Sequence, residues 1–366
     1  MSKTYRDYLA EAIGDGPRIP HPEDSVLQGA DTAGQFLGAF DEIVSNPQNF
    51  TIKWDGGIAL YFGYNEQGQF FITDKYMPGK GVYPTSPEGW REYDISRGAN
   101  RNDLYEKIEV IWPGLQQSVT SKNGVFKGDL MAYGREDMTP DNGAFNFGTV
   151  TVQYNVPMNS YLGKLMTNKV ALIVVHEYAG RPWDGRTGLV NNSNVAVVSP
   201  NLNLKFSLTE RPGIIALINQ AKAVLVKSKP LIDQFLAGLD NPARVLIGKY
   251  LNQLRTQQTG EEIGHWLEAN ANKKQYNNLI GDGKSGYLIK NKAGLDALYN
   301  VWNSMFKIKV AIVQSLESQV QGFTQTTSAG PGGEGFVFPT SVGLIKLINP
   351  NFGKAHFGAA GFGKPQ

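Results

Sequence analysis

Lys53-Trp54-Asp55-Gly56-Gly57-Ile58-Ala59-Leu60-Tyr61-Phe62-Gly63-Tyr64 joins a lysine, an acid and two glycines to a run of strand-forming residues. A lysine amine attacks phosphorus only when neutral. Burial or a nearby cation favours that form, and a nearby carboxylate opposes it. Asp55 is therefore suited to positioning a nucleotide or a metal. Gly56 and Gly57 let a phosphate approach the backbone closely. The alternative reading is an exposed lysine before a hairpin.

Outward from this stretch, residues 49–200 read as strands. Segments 58–64 and 69–73 form a hairpin closed by Asn65-Glu66-Gln67-Gly68. Further strands are expected at 50–54, 125–133, 149–154, 170–175 and 195–198, with a helix at 103–110 between them. From 207 to 322 the texture is helical. Leu295, Leu298, Trp302, Met305, Phe306, Val313, Leu316 and Val320 recur at three- and four-residue spacing, one face of a long helix. Ser207 and Glu210 have capping-box spacing for the first helix. Pro230, Pro242 and Gly281-Asp282-Gly283 divide the region. Strand texture returns at 335–338 and 344–348.

Composition bounds the class. The 366 residues are 41% hydrophobic and 19% charged, as in globular chains. No cysteine is present, which excludes disulfides, zinc–thiolate sites and cysteine nucleophiles. Residues 1–16 do not read as a signal peptide, and the longest apolar run, 170–175, is too short for a bilayer. No membrane partner and a cytoplasmic setting are expected. The net charge is +2. Residues 205–323 hold about 15 Lys and Arg against about 9 Asp and Glu, leaving the remainder roughly four negative. A basic helical part suits a polyanion; a solvated helix surface is the alternative.

Three more strings follow the first in order: Phe126-Lys127-Gly128-Asp129-Leu130, Glu334-Gly335-Phe336-Val337-Phe338, and Lys346 within 344–348. Together they resemble the motifs of ATP-dependent DNA and RNA ligases and mRNA-capping guanylyltransferases, the covalent nucleotidyltransferase superfamily, over roughly 50–349. The run from His21-Pro22-Glu23-Asp24 to Thr73-Asp74-Lys75 also resembles a group of tailed-phage proteins, which implies a viral source and the host cytoplasm. The pattern departs at Ile58, where the family carries Arg or Asn, and at Lys346, where it offers two lysines. Only 20 residues follow Lys346, so no C-terminal OB-fold is expected.

The resemblance implies an α+β fold: an antiparallel nucleotidyltransferase sheet domain of residues 1–206 and 323–366, with a helical insertion of 207–322. It implies a ligase-type reaction in which Lys53 takes AMP from ATP, GTP being possible, and passes it to a 5′-phosphate of RNA or DNA held by the basic insertion. Glu334 and Asp129 would hold Mg²⁺. Asp55, Gly56, Lys75, Asp129 and Lys346 would contact the nucleotide, with Lys346 at the α-phosphate. His176 and Tyr178 are candidates to sandwich the base. The alternative is a catalytically inactive nucleotide- or nucleic-acid-binding phage protein of the same fold. Other features carry less. Gly283-Lys284-Ser285 lacks the glycine of a phosphate loop, since Asn278 stands there. Residues 330–335 read as a flexible entry to the Glu334 strand. Trp302, Met305 and Phe306 read as packing.

Overall fold

The computed structural model describes residues 19–202, 204–256, 261–281 and 286–359. The Gly283-Lys284-Ser285 string lies outside them. In chain order the elements are α1 (Ala30–Ser45), β1 (Thr51–Lys53), β2 (Ile58–Tyr64), β3 (Phe70–Thr73), α2 (Pro87–Ser96), α3 (Asn102–Ser118), β4 (Val125–Tyr133), β5 (Ala144–Gly148), β6 (Val152–Pro157), β7 (Ala171–Tyr178) and β8 (Val195–Val198). There follow α4 (Arg211–Ala237), α5 (Asn241–Arg255), α6 (Ile263–Asn270), α7 (Lys292–Glu317), β9 (Thr324–Thr327), β10 (Gly335–Thr340), β11 (Gly343–Ile348) and α8 (Pro350–Ala359). Helices and both antiparallel and mixed sheets make this a mixed structure of α+β character.

The chain divides into two compact units. Among the described residues, the first comprises those within 52–204 and 320–327; the second comprises those within 19–51, 205–319 and 328–359. This differs from the expected partition. The helical stretch groups with the N-terminal helix and the last two strands rather than standing alone as an insertion.

In the first unit a sheet runs β3-β2-β4-β7-β8. The first four strands are antiparallel, and β8 pairs with β7 in parallel, so the sheet is mixed where an antiparallel one was expected. Alternation along the strands decides its two faces. Leu60, Phe62, Phe126, Leu130, Ile173 and Val175 point into one core with Trp90 of α2 and Ile108, Ile111 and Leu115 of α3. The residues between them, among them Lys127 and Asp129, lie on the other face. A smaller antiparallel sheet, β9-β6-β5, completes this unit.

In the second unit α4 lies along α1 and α7. Ile214, Ile218, Ala221, Leu225 and Ile232 of α4, and Leu298, Val301, Met305, Ile308 and Ile312 of α7, are buried at helical spacing. The strands β10 and β11 form an antiparallel hairpin. Two expected boundaries fail here. Pro230 does not end a helix but lies inside the 27-residue α4. Proline removes one N–H and crowds the carbonyl four residues back, on Val226. Both residues are exposed, so water can serve the freed carbonyl. Ser207 does not cap α4, whose N-cap is Glu210. The Ser207 amide and hydroxyl instead donate to the Gln319 side-chain oxygen at 2.9 and 3.0 Å. Among the described residues no helix is long and apolar enough to cross a membrane.

Candidate functional site

In the first unit the Lys53 loop is pinned from three sides. Trp54 is buried, its indole stacked on Tyr154 at 5.3 Å and on Phe323 at 4.8 Å in a three-ring cluster. Its Nε1 donates to the Pro200 carbonyl at 2.9 Å. The Tyr154 hydroxyl accepts from the Asp55 amide at 2.9 Å, and the Thr149 hydroxyl donates to the Asp55 carboxylate. Lys53 itself is half-buried at the end of β1.

Gly56 fixes the loop against β4. A Cβ there would sit 2.5 Å from Asp129 Cβ and 2.9 Å from the Met131 sulfur. The backbone beside Lys53 can lie on Asp129 only because Gly56 has no side chain. Gly56→Ala should therefore lift the loop off β4 and cost about 1–3 kcal/mol, as overpacking does. Thermal unfolding measures this, and an unchanged melting temperature would show that the contact is not tight.

Asp129 faces His176 across the sheet, with His176 Nε2 2.9 Å from the carboxylate. A register shift makes this possible. Lys127 pairs with Glu177, whereas Gly128 pairs with Val175, so His176 is an extra residue in β7. Such a bulge re-aims side chains, and it places His176 beside Asp129 while Glu177 meets Lys127 at 3.0 Å. Burial alone would lower the Lys127 pKa, but Glu177, with help from Tyr61 and Asp129, raises it above its ordinary value. Lys127 is thus held as a cation and is no candidate for a neutral nucleophile.

Three of the expected nucleotide contacts, Tyr178, His176 and Lys75, do not gather on one face. Tyr178 does not share the face of Asp129. Its ring stacks on Phe126 at 4.4 Å, against the helix-covered core, and its hydroxyl lies 2.7 Å from that of Ser121. His176 bonds to a carboxylate instead of pairing with Tyr178 around a base. Lys75 is not on a strand, since β3 ends at Thr73. It is exposed at a bend, its ammonium 4.9 Å from the Tyr76 ring.

In the second unit Glu334 precedes β10 and Lys346 lies on β11, opposite Val337. Both line one cavity of about 130 Å³ together with His21 and Arg255. Beneath it lies a buried ionic cluster. Glu23 and Lys309 are both fully buried and paired, and Arg255 reaches Glu23 at 2.9 Å. The Trp302 Nε1 donates to Asp24 at 3.1 Å. Burial would raise the Glu23 carboxyl, but Lys309 and Arg255 hold it far below the usual carboxylate range. Burial, opposed by Glu23, brings the Lys309 ammonium down to about 8. In the sequence alone His21-Pro22-Glu23-Asp24 has no evident role. The signal available was two acids flanked by proline beside a helical region rich in cations.

The expected basic surface is thinner than charge counting implied. Lys222 pairs with Asp41, and Lys229 with Asp31 and Asp233. Arg244 donates to the Leu236 carbonyl. Residues 19–51 hold five carboxylates and no Lys or Arg, so they offset much of the helical excess within this unit. Lys227, Lys249, Lys273 and Lys274 are among the exposed cations of the helical stretch.

The fold and the site describe a two-unit protein of α+β character with a lysine–acid loop laid on β4. The chain belongs to the family of unknown function DUF6267, whose profile matches residues 18–360. No curated protein and no solved structure matches it.

Proposed function

We propose that the protein is a ligase-type nucleotidyltransferase that forms lysyl-AMP on Lys53 and passes the AMP to a 5′-phosphate of RNA or DNA. The observation that supports this best is the seating of the Lys53-Trp54-Asp55-Gly56 loop on Asp129. The nucleophile and a carboxylate thereby fall on adjoining elements of one unit. The neutral Lys53 amine attacks the α-phosphorus of ATP, with GTP the other candidate. A P–N bond forms, the bond to the bridging oxygen breaks, and pyrophosphate leaves with that electron pair. The amine gives one proton to solvent as the phosphoramidate forms; a 5′-phosphate oxygen then attacks the same phosphorus, the P–N bond breaks, and the lysine leaves with that electron pair and takes a proton back.

Asp55 holds the loop through Thr149. His176 orients Asp129. The motif order assigns Glu334 to the metal and Lys346 to the α-phosphate. Among the described residues no three His, Asp or Glu side chains gather as a metal cage. Mg²⁺ is commonly bound by one or two carboxylates plus water and substrate phosphates. Such an ion would supply charge neutralisation at the phosphates. The test is incubation with α-³²P-labelled ATP or GTP and Mg²⁺, followed by denaturing electrophoresis. Label on the chain supports the reading; its absence with both nucleotides moves it to a non-catalytic nucleotide-binding protein.

Polynucleotide binding falls to Lys227, Lys249, Lys273 and Lys274. Reversing three of these charges should weaken capture of a 5′-phosphorylated single strand and leave Lys53 labelling intact. Wild-type affinity should fall with salt at a log–log slope of about −0.7 per phosphate contacted. Filter binding across a salt series measures both, and no binding at low salt eliminates the polynucleotide role.

A further inference from the structure

The last turns of α7 carry a stripe that the proposed reaction does not use. Phe306, Val310, Val313, Gln314 and Glu317 recur at three- and four-residue spacing and so share one side of the helix. They line a cavity of about 450 Å³, completed by Leu254 of α5, Pro331 and the first turns of α8. That is the volume of about fifteen waters and lies in the range of small-molecule sites. Every wall residue belongs to the second unit, whereas the Lys53 loop belongs to the first.

Two charges in this wall lack counter-charges. Glu317 is the last residue of α7, where the helix dipole disfavours a carboxylate. It is mostly buried, and burial raises its pKa to about 7 against the opposing bonds from the Asn349 side chain and the Gly333 N–H. Among the described residues no Lys or Arg holds it charged. Gly332 makes this seat possible. At φ +108° it lets the backbone lie on Glu317 and Asn349, where a Cβ would fall 2.0 Å from the Asn349 amide nitrogen. Lys354 of α8 also lines the cavity, half-buried, and has no ion pair among the described residues. Because Lys354 does not lower the Glu317 pKa, the two lie apart along the wall. A carboxylate has about four acceptor positions, and the bonds from Asn349 and Gly333 leave about two.

These charges select the ligand. A free amino acid carries its ammonium and carboxylate side by side, which suits a cation and an acid that adjoin, not ones held apart. The wall instead matches a flat body with N–H donors at one end and an anion at the other. A carboxylate only accepts, so it pairs best with two adjacent donors. Guanine is the common base with two, N1–H and N2–H, on one edge. The neighbouring O6 accepts, and Gln314, three residues before Glu317 on the same side of α7, has a side-chain amide to donate.

We propose that this cavity is a guanine-nucleotide site, in which Glu317 accepts from N1–H and N2–H, Gln314 donates to O6, Phe306 and Val310 cover the ring, and Lys354 meets the phosphate. The site goes beyond the reaction proposed for Lys53 and stands whether or not that lysine takes up AMP. A free nucleotide and the terminal nucleotide of a polynucleotide share this chemistry.

The experiment is calorimetric titration of the full chain with GMP in EDTA. A monophosphate has no pyrophosphate to lose and cannot charge Lys53. One saturable site is expected, with AMP and IMP weaker by about tenfold or more, because neither base offers the paired donors. Glu317→Gln should weaken GMP by about tenfold or more, through loss of hydrogen bonds to a charged group. The glutamine keeps an oxygen for Asn349, so this variant should fold, and its melting curve checks this. Lys354→Ala should weaken GMP but not guanosine. Lys53→Ala should bind GMP normally, which separates failure of this site from failure of nucleotidyl transfer. Displacement of GMP by an oligonucleotide with a 5′-phosphoguanosine end, but not by one with a 5′-phosphoadenosine end, assigns the site to a polynucleotide. No displacement by either assigns it to the free nucleotide. No saturable binding by the wild type, equal binding of GMP and AMP, or GMP binding unchanged in Glu317→Gln overturns the proposal.

Discussion

Lys53→Ala is expected to abolish covalent labelling by α-³²P nucleotide. The adduct on the wild-type chain should be acid-labile and base-stable, as a phosphoramidate is. No other residue of the loop can replace the amine, because Trp54, Asp55 and Gly56 carry no nitrogen nucleophile and Lys127 is held as a cation by Glu177. Lys53→Arg should fail equally, since a guanidinium does not lose its proton in proteins. Stability should change by no more than about 1 kcal/mol, as is usual for a residue outside the core. The fixed parts of the loop, Trp54 in its aromatic stack and Gly56 on β4, are untouched by either change. Label that persists in Lys53→Ala would overturn the assignment.

Glu23→Ala carries the largest expected cost in stability. It leaves the fully buried Lys309 ammonium and the nearly buried Arg255 guanidinium without their shared carboxylate. Breaking a buried pair by removing one partner costs about 3–5 kcal/mol. Replacing both members, as in Glu23→Met with Lys309→Met, should recover part of that, because no uncompensated lysine remains. Urea unfolding of the two variants measures both effects, and a Glu23→Ala chain as stable as wild type would refute the cluster's importance. The pH dependence has a definite sign. The folded Glu23 carboxyl lies far below its ordinary value of 4.5. Its contribution is therefore complete above pH 4.5 and is lost as the pH falls below it. In Glu23→Ala that part of the acid sensitivity should disappear.

The strands of the first unit were legible because alternation and glycine turns are local signals. β2, β4 and β8 have their expected bounds. The mixed character of the sheet was not legible, since the partner and direction of β8 depend on residues far off in the chain. Helix α1 was missed although Ala33, Phe36, Leu37, Phe40, Ile43 and Val44 are buried at three- and four-residue spacing. That signal was present and local. The division into units was hidden for a different reason, because α1 and the β10–β11 hairpin join the helical stretch only through long-range packing. At the candidate site, the glycine–acid strand points to Asp129, but the Asp129–His176 contact depends on a bulge that no spacing rule exposes. Tyr178 illustrates the converse. Two residues along a strand normally share a face, yet the bulge at His176 turns Tyr178 toward the helices while His176 meets Asp129.

The second unit is assembled from three segments, and the Glu23–Lys309 pair joins its first to its second across 286 residues. On a ribosome the chain emerges from its N-terminus at about 5–20 residues per second. Glu23 is therefore made roughly 15–60 s before Lys309. Residues 52–204, which form most of the first unit, emerge within that interval. One unit can thus begin to fold while the greasy face of α1 still waits for α4 and α7. The interval between the two ends of a single ion pair sets how long a nascent chain must keep that helix from strangers.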